Sequence, residues 1–347
     1  MTALPAVEST LMFREAHSSA GLIAAQFAAN AGAVARLAAR LRAQPPRFIV
    51  TCARGSSDHA ATFAKYLFET QLGLSTASAS PSVTSVYAAP LQLDGALFVA
   101  ISQSGKSPDL VRSAEAARTA GAQVLALVNT EDSPLAAVAH DVIALRAGPE
   151  RSVAATKSYL CTLAALLQLA TAWSARRELA DALDGVPAAL TRSWDSDWSA
   201  LVDALAPARN LFVLGRGLGL GAAQEAALKF KETSGLHAEA FSAAEVRHGP
   251  MALIGEGFPL LVFAQDDGTQ AGTLAAAQEF RARGARVFVA APGDPAGSDL
   301  PLPERVHPAV APLLQVQSFY RACNALALRR GHNPDLPPHL NKVTETV

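Results

Sequence analysis

The stretch Leu97-Phe98-Val99-Ala100-Ile101-Ser102-Gln103-Ser104-Gly105-Lys106-Ser107-Pro108 decides how the chain is read. Five apolar residues without polar alternation predict a strand buried on both faces. A hydroxyl-rich loop follows. Ser107 reads as an N-cap and Pro108 as the first residue of a helix, predicted from Pro108 to Ala120. Strand, short loop and helix make one unit of a parallel α/β sheet. The same rhythm lies on either side. Phe48-Ile49-Val50-Thr51-Cys52 runs through Arg54-Gly55-Ser56-Ser57 into a helix predicted over Asp58 to Gln71. Val124-Leu125-Ala126-Leu127-Val128 and Asp141-Val142-Ile143-Ala144-Leu145 predict two further strands. Upstream, Ala, Leu and Arg dominate from His17 to Arg42, a helical run stopped by Pro45-Pro46.

The second half repeats the first. Gly121-Ala122-Gln123-Val124 and Gly284-Ala285-Arg286-Val287 stand 163 residues apart, as do Phe68-Glu69 and Lys231-Glu232, and Gly105 and Gly268. Arg54-Gly55 and Arg216-Gly217 are one residue closer, so a residue has slipped in that turn. The repeat predicts two copies of one α/β domain, at about 46–150 and 209–305. Helical sequence lies between them over Ser152 to Asp203, and a last helix runs from Ala311 to Gly331. The organisation read is an N-terminal helical segment (1–45), a first domain (46–205), a second domain (206–331) and a polar tail (332–347).

Composition bounds the function. The chain has 347 residues, 50% hydrophobic and 17% charged, so two domains with substantial cores are expected. Lys+Arg is 29 against Asp+Glu 30, with no basic run, which argues against a nucleic-acid partner. Apolar runs of about 5–9 residues fall short of the roughly 18–20 that span a bilayer. Met1 to Glu15 lacks a signal-peptide pattern. No membrane association and a cytoplasmic location are therefore expected. Cys52, Cys161 and Cys323 form no CxxC pair and no metal-ligand pattern, so no metal is expected.

The loop Ser102 to Ser107 falls at the C-terminal edge of a parallel sheet and at a helix N-terminus, where open α/β sheets bind ligands and where phosphate binds. A helix dipole offers about 0.3–1 kcal/mol when exposed. Three or four charge-assisted hydrogen bonds at about 1.5–3 kcal/mol each would outweigh it. The equivalent place in the second half reads Gln265-Asp266-Asp267-Gly268, whose carboxylates repel phosphate. One copy alone is thus expected to hold a phosphate, which points to a phosphorylated small molecule. Gly215-Arg216-Gly217-Leu218-Gly219-Leu220-Gly221 looks superficially like a dinucleotide fingerprint, but no acidic residue follows at the required distance.

A helix read from Gln224 to Ser234 places Glu225, Lys229 and Glu232 at i, i+4 and i+7, on one face. Such a face is ordinarily a solvated ion pair worth a few tenths of a kcal/mol. The loop Glu245-Val246-Arg247-His248-Gly249-Pro250 supplies His248 as a candidate partner that would give the face a function. His17, His140 and His237 read as structural.

Taken together these residues resemble the sugar isomerase (SIS) domain family, most closely the isomerase half of glutamine–fructose-6-phosphate aminotransferase. The resemblance rests on Ser102-Gln103-Ser104-Gly105, Val153-Ala154-Ala155-Thr156-Lys157, Leu214-Gly215-Arg216-Gly217, Ala227-Leu228-Lys229-Phe230-Lys231-Glu232, His237-Ala238-Glu239-Ala240, His248-Gly249-Pro250 and Leu340-Asn341-Lys342-Val343-Thr344. It implies two tandem SIS domains, each a mostly parallel sheet with helices on both faces in a three-layer, flavodoxin-like sandwich. It implies a homodimer with shared active sites acting on a sugar phosphate. Ser102, Gln103, Ser104 and Ser107 would hold the phosphate with help from Ser56 and Ser57, and Val153 and Ala155 would line the sugar. Glu232 would move a proton between C1 and C2. His248, from the neighbouring subunit, would open the ring. Lys342 would form an imine with the ketose, with Glu225 and Lys229 in support.

Three features depart from the synthase. The chain starts at Met1 without a glutaminase domain, so it is expected not to draw ammonia from glutamine. Lys106-Ser107-Pro108 replaces an acidic residue after the loop and looks more like the stand-alone SIS deaminases and isomerases of amino-sugar breakdown. Ala155 stands where the synthase has a serine. The expectation is therefore a glucosamine-6-phosphate deaminase that releases fructose 6-phosphate and ammonia without a metal or an organic cofactor. The alternatives are an aldose–ketose phosphosugar isomerase, an ammonia-dependent synthase and a non-catalytic phosphosugar sensor.

Overall fold

The computed structural model describes residues 4–302 and 304–342. Among these residues, nine strands form two parallel sheets. The first contains β1 (Phe48–Cys52), β2 (Thr76–Ser78), β3 (Ala96–Ser102), β4 (Gln123–Val128) and β5 (Asp141–Ala144), in the order β2-β1-β3-β4-β5. The second contains β6 (Asn210–Gly215), β7 (His237–Ser242), β8 (Pro259–Phe263) and β9 (Arg286–Ala290), in the order β7-β6-β8-β9. The internal repeat is visible in the strands. Ala96 and Pro259 open β3 and β8, and Gln123 and Arg286 open β4 and β9, each pair 163 residues apart. Among the described residues the second sheet has no counterpart of β5. After β9 the chain makes an isolated bridge between Ala290 and Leu300 instead.

All seven residues of β3 are buried, as the unbroken apolar run requires of a central strand with helices on both faces. Val50, Phe98, Leu110, Val124 and Leu135 pack in the first core, and Leu214, Val262, Phe280 and Val289 in the second. Each such side chain contributes about 1.5–3 kcal/mol on full burial. Helices Ser56–Leu72 and Pro108–Thr119 follow β1 and β3, and helices Leu220–Ser234 and Gln270–Ala282 follow β6 and β8. The sequence missed β2, a three-residue edge strand with two exposed residues and no apolar run to announce it.

One helix among those described, Ser19–Ala43, is long and apolar enough to cross a bilayer by length and composition. One face of it is buried against the protein and the other is exposed. Gln26 and Asn30 are buried and donate to the backbone oxygens of Cys161 and Ala144 at 2.9 and 2.8 Å.

The chain forms two compact units, and they do not follow the order of the sequence. One takes in residues 4–20, then Glu150–Leu160 and Asp184–Leu340. The other takes in Gly21–Pro149, Cys161–Leu183, Asn341 and Lys342. The segments 150–160 and 184–205, which the sequence places in the first domain, and the start of the N-terminal helical segment thus group with the second sheet. Specific hydrogen bonds explain part of this: the Glu15 carboxylate accepts from the backbone of Arg151 and Ser152.

Candidate active site

In the first sheet the chain leaves β1 and β3 toward opposite edges. The switch point between their C-terminal ends is the place of the ligand crevice in open α/β sheets. Both hydroxyl-rich segments flank it. Ser56 and Ser57 are the first two residues of helix Ser56–Leu72, so they form its first turn rather than a turn preceding it. Ser102 ends β3, and its hydroxyl accepts from the Gly105 N–H at 3.0 Å. The Ser104 hydroxyl accepts from the Lys106 N–H at 3.3 Å. Two backbone N–H groups of the loop are thus taken by the loop itself, while each hydroxyl keeps its proton for donation. Ser107 stands at the N-cap, as expected, but its side chain makes no capping bond. Gly105 has φ of 65°, and a Cβ there would lie 2.1 Å from Ser133 Oγ, so the loop is pressed against the next turn and needs glycine.

Sequence reasoning missed the ion pair beside this loop. Arg54 donates through Nε at 2.9 Å and Nη2 at 2.8 Å, both to Asp109 Oδ2. Asp109 is fully buried in the first turn of helix Pro108–Thr119. The pair ties the segment after β1 to the helix after β3. Arg54 also lines a polar cleft of about 390 Å³ with Asp58, Ser78, Ser80 and Ser82. Burial raises the Asp58 carboxyl above its usual value, against the opposing pull of His59 and Arg54. The 102–107 loop does not line that cleft.

The matching crevice of the second sheet is filled by its own side chains. Gln265 is fully buried and donates to Gln315 Oε1 at 2.8 Å. A Cβ on Gly219 would lie 2.4 Å from Gln265 Nε2, so the amide rests directly on the 3₁₀ turn Gly217–Gly219. Asp266 pairs with Arg305 at 3.2 Å, and Asp267 accepts from the Thr269 N–H at 2.8 Å. The glycine-rich run is a packing device here, with its crevice closed.

Helix Leu220–Ser234 carries the second cluster. Glu225, Lys229 and Glu232 share a face, as their spacing requires, but the face is not solvated. Glu225 and Lys229 are fully buried, and the Glu232 side chain is 21% exposed. Lys229 Nζ lies 3.1 Å from Glu225 and 2.6 Å from Glu232. The Tyr320 hydroxyl donates to Glu225 at 2.9 Å, a contact invisible in sequence because 95 residues separate the two. Burial alone would lower the Lys229 ammonium, but the two carboxylates outweigh it and hold the pKa above the usual lysine value. Lys229 is therefore a fixed positive charge rather than a nucleophile. Burial likewise pushes the Cys52 and Cys323 thiols up to about 12, so both stay protonated at neutral pH.

The segment with Val153 and Ala155 is held by carboxylates that sequence reasoning also missed. Glu150, 6% exposed, accepts from the N–H groups of Thr156 at 2.9 Å and Ser158 at 3.1 Å, and from the Ser158 hydroxyl at 2.6 Å. That places a carboxylate at the start of helix Lys157–Ser174, where the helix dipole favours it. His248 is exposed, ends the short 3₁₀ turn Glu245–Arg247 and is followed by Gly249 at φ 134°. Lys342 is half-buried; Val343 and Thr344 of its motif lie outside the described residues. His140 accepts from the Val124 N–H and His17 packs on Trp194, both structural uses. Among the described residues, no group of three or more His, Cys, Asp or Glu side chains is placed to hold a metal ion.

The SIS domain family model matches residues 44–172 and 204–295, which are the two sheets with their helices. The chain belongs to the SIS domain family and carries the domain twice. It is 35% identical over 83% of its length to the glutamine–fructose-6-phosphate aminotransferase of Methanothermobacter thermautotrophicus, of which it covers 50%. The chain thus spans about half the length of such curated relatives. A solved structure of a candidate phosphosugar isomerase from Silicibacter pomeroyi is 43% identical, with a TM-score of 0.90 over 94% of this chain and 100% of that one. The glucosamine-6-phosphate deaminase of Thermotoga maritima gives a TM-score of 0.77 at 21% identity, over 97% of this chain and 100% of that one. That last likeness bears on the fold alone.

Proposed function

We propose that this SIS protein is a phosphosugar enzyme that deaminates glucosamine 6-phosphate to fructose 6-phosphate and ammonia. The observation that carries the reading is the Lys229–Glu232 contact. It sets one partly exposed carboxylate at the open end of an otherwise buried charge cluster. A carboxylate so held can take a proton from one carbon and return it to the next, help worth about 10²–10⁴-fold. In this reading the 102–107 loop, with Ser56 and Ser57, holds the phosphate. His248 serves ring opening, and its exposed loop suits delivery to a second copy in a homodimer. Glu232 removes the C2 proton of the open-chain amino aldehyde and delivers it to C1. The resulting C2 imine adds water and releases ammonia. Lys342 is assigned to a covalent imine with the ketose, and Val153 and Ala155 to the sugar. A cytoplasmic location belongs to the same proposal.

Lys106-Ser107-Pro108 supports a catabolic enzyme over the synthase, because that variant looks more like the stand-alone SIS deaminases and isomerases of amino-sugar breakdown. Aldose–ketose isomerisation uses the same proton transfer on a substrate with a C2 hydroxyl. A coupled assay of ammonia and fructose 6-phosphate over a panel of hexose and hexosamine phosphates separates the two. Ammonia release in step with fructose 6-phosphate is expected. Turnover of neutral sugar phosphates alone would give the isomerase, and no turnover with tight binding would give a sensor.

A further inference from the structure

We propose that Glu15, on the N-terminal helix Leu11–His17, is a positioning residue that sets the backbone of the 150–157 segment for sugar binding. The proposal rests on the reading above, in which Val153 and Ala155 face the sugar. Neither has a polar side-chain atom, so sugar hydroxyls can be recognised there only through backbone N–H and C=O groups. That backbone must then be fixed from outside.

Two buried carboxylates fix it. Glu150 secures the C-terminal part through Thr156 and Ser158. Glu15, 8% exposed, secures the N-terminal part: Oε1 accepts from the Arg151 N–H at 2.6 Å and Oε2 from the Ser152 N–H at 3.2 Å. Its helix is itself anchored. Asp335 accepts from the Leu11 and Met12 N–H groups, each at 2.7 Å, and its backbone oxygen accepts from Val153 at 3.4 Å. Gln317 donates to Ala16 O at 3.0 Å, and Thr10 donates to Asn324 at 2.8 Å.

A carboxylate is the group this position needs. It offers two acceptor atoms to two adjacent N–H donors, whereas an amide offers one acceptor and turns its NH₂ toward the other donor. Stability alone would be served by a neutral side chain, since burial raises the Glu15 carboxyl above its ordinary value, with Glu150 adding to the rise and Lys157, 4.0 Å away, opposing it. What the charge adds is the placement of Arg151 and Ser152.

The test is Glu15→Gln, with Glu15→Asp as a second variant that keeps the charge and withdraws the oxygens by one methylene. Three quantities are read: KM for glucosamine 6-phosphate, the inhibition constant of inorganic phosphate, and amide hydrogen exchange at Arg151 and Ser152. The expected result is KM raised about tenfold or more, the loss of one charged hydrogen bond. Phosphate inhibition should stay within about twofold, and both amides should exchange faster. Unchanged KM with those amides deprotected would overturn the proposal, as would phosphate inhibition weakening in step with KM. Should the wild-type protein turn over no sugar phosphate, the functional reading falls separately. Weakened fructose 6-phosphate binding with intact phosphate binding in the variant would then still support Glu15.

Discussion

Lys229 donates to Glu232 at 2.6 Å from within a helix face that excludes water, while Glu225 holds the same ammonium from the other side at 3.1 Å. One lysine thus lies between two glutamates, and the partly exposed member of the three is Glu232. Removing the cation tests the arrangement. Lys229→Met should cost about 3–5 kcal/mol, because it strands the buried Glu225 carboxylate. The double variant Glu225→Gln, Lys229→Met should recover most of that loss while remaining inactive. Thermal unfolding and turnover on the same samples check both parts; a double variant no more stable than the single would count against stranded charge as the cause.

The phosphate site should belong to the first sheet alone. Ser104→Ala removes a hydroxyl from the 102–107 loop and should raise KM at least several-fold with little change in kcat, the mark of lost ground-state binding. Asp266→Asn in the closed crevice should leave KM unchanged. Phosphate titration followed by amide chemical shifts gives an independent check, with perturbations expected at 102–107 and none at 265–269.

Arg54 and Asp109 should act as a brace between the two phosphate-side segments. Arg54→Ala leaves a fully buried carboxylate without its guanidinium and should cost about 1–3 kcal/mol, given that Arg54 is itself half-exposed. Sugar-phosphate KM should rise, and Asp109→Asn combined with Arg54→Ala should restore stability without restoring KM. Recovery of both together would reduce the pair to a stability element.

The raised Glu15 carboxyl gives a pH prediction with a definite sign. Its folded-state pKa lies above the reference value of 4.5, so the folded protein holds the proton more tightly than the unfolded chain. That contribution is favourable below about 4.5 and is lost as pH rises through the folded value. Glu15→Gln, which stays neutral throughout, should therefore gain on wild type in Tm between pH 4 and pH 7. Unfolding scans across that range check it, and a variant that loses ground as pH rises would reverse the assignment.

Much of this was legible in sequence because local chemistry dictated it. Unbroken apolar runs gave the central strands, Ser107-Pro108 marked a helix start, and the 163-residue repeat exposed the tandem domains. The i, i+4, i+7 spacing put Glu225, Lys229 and Glu232 on one face. Spacing carries no information on burial, so the same pattern would have suited a solvated helix. β2 stayed hidden because an edge strand needs no apolar run. Arg54 with Asp109, Tyr320 with Glu225, and Glu15 with Arg151 stayed hidden because each pair meets only through tertiary packing, 55, 95 and 136 residues apart in sequence. The one local hint was an acidic residue immediately after a Ser-Pro helix start, at Asp109.

Solvent deuterium exchange into fructose 6-phosphate tests the central claim most directly. The wild-type protein, incubated with fructose 6-phosphate in heavy water, should wash deuterium into C1 on the timescale of turnover. Glu232→Gln should bind the same ligand with similar affinity and exchange at least about a hundredfold more slowly, the low end of what one positioned acid–base group supplies. Exchange in the variant at the wild-type rate, with equal binding, would contradict the assignment of Glu232 as the group that carries the proton.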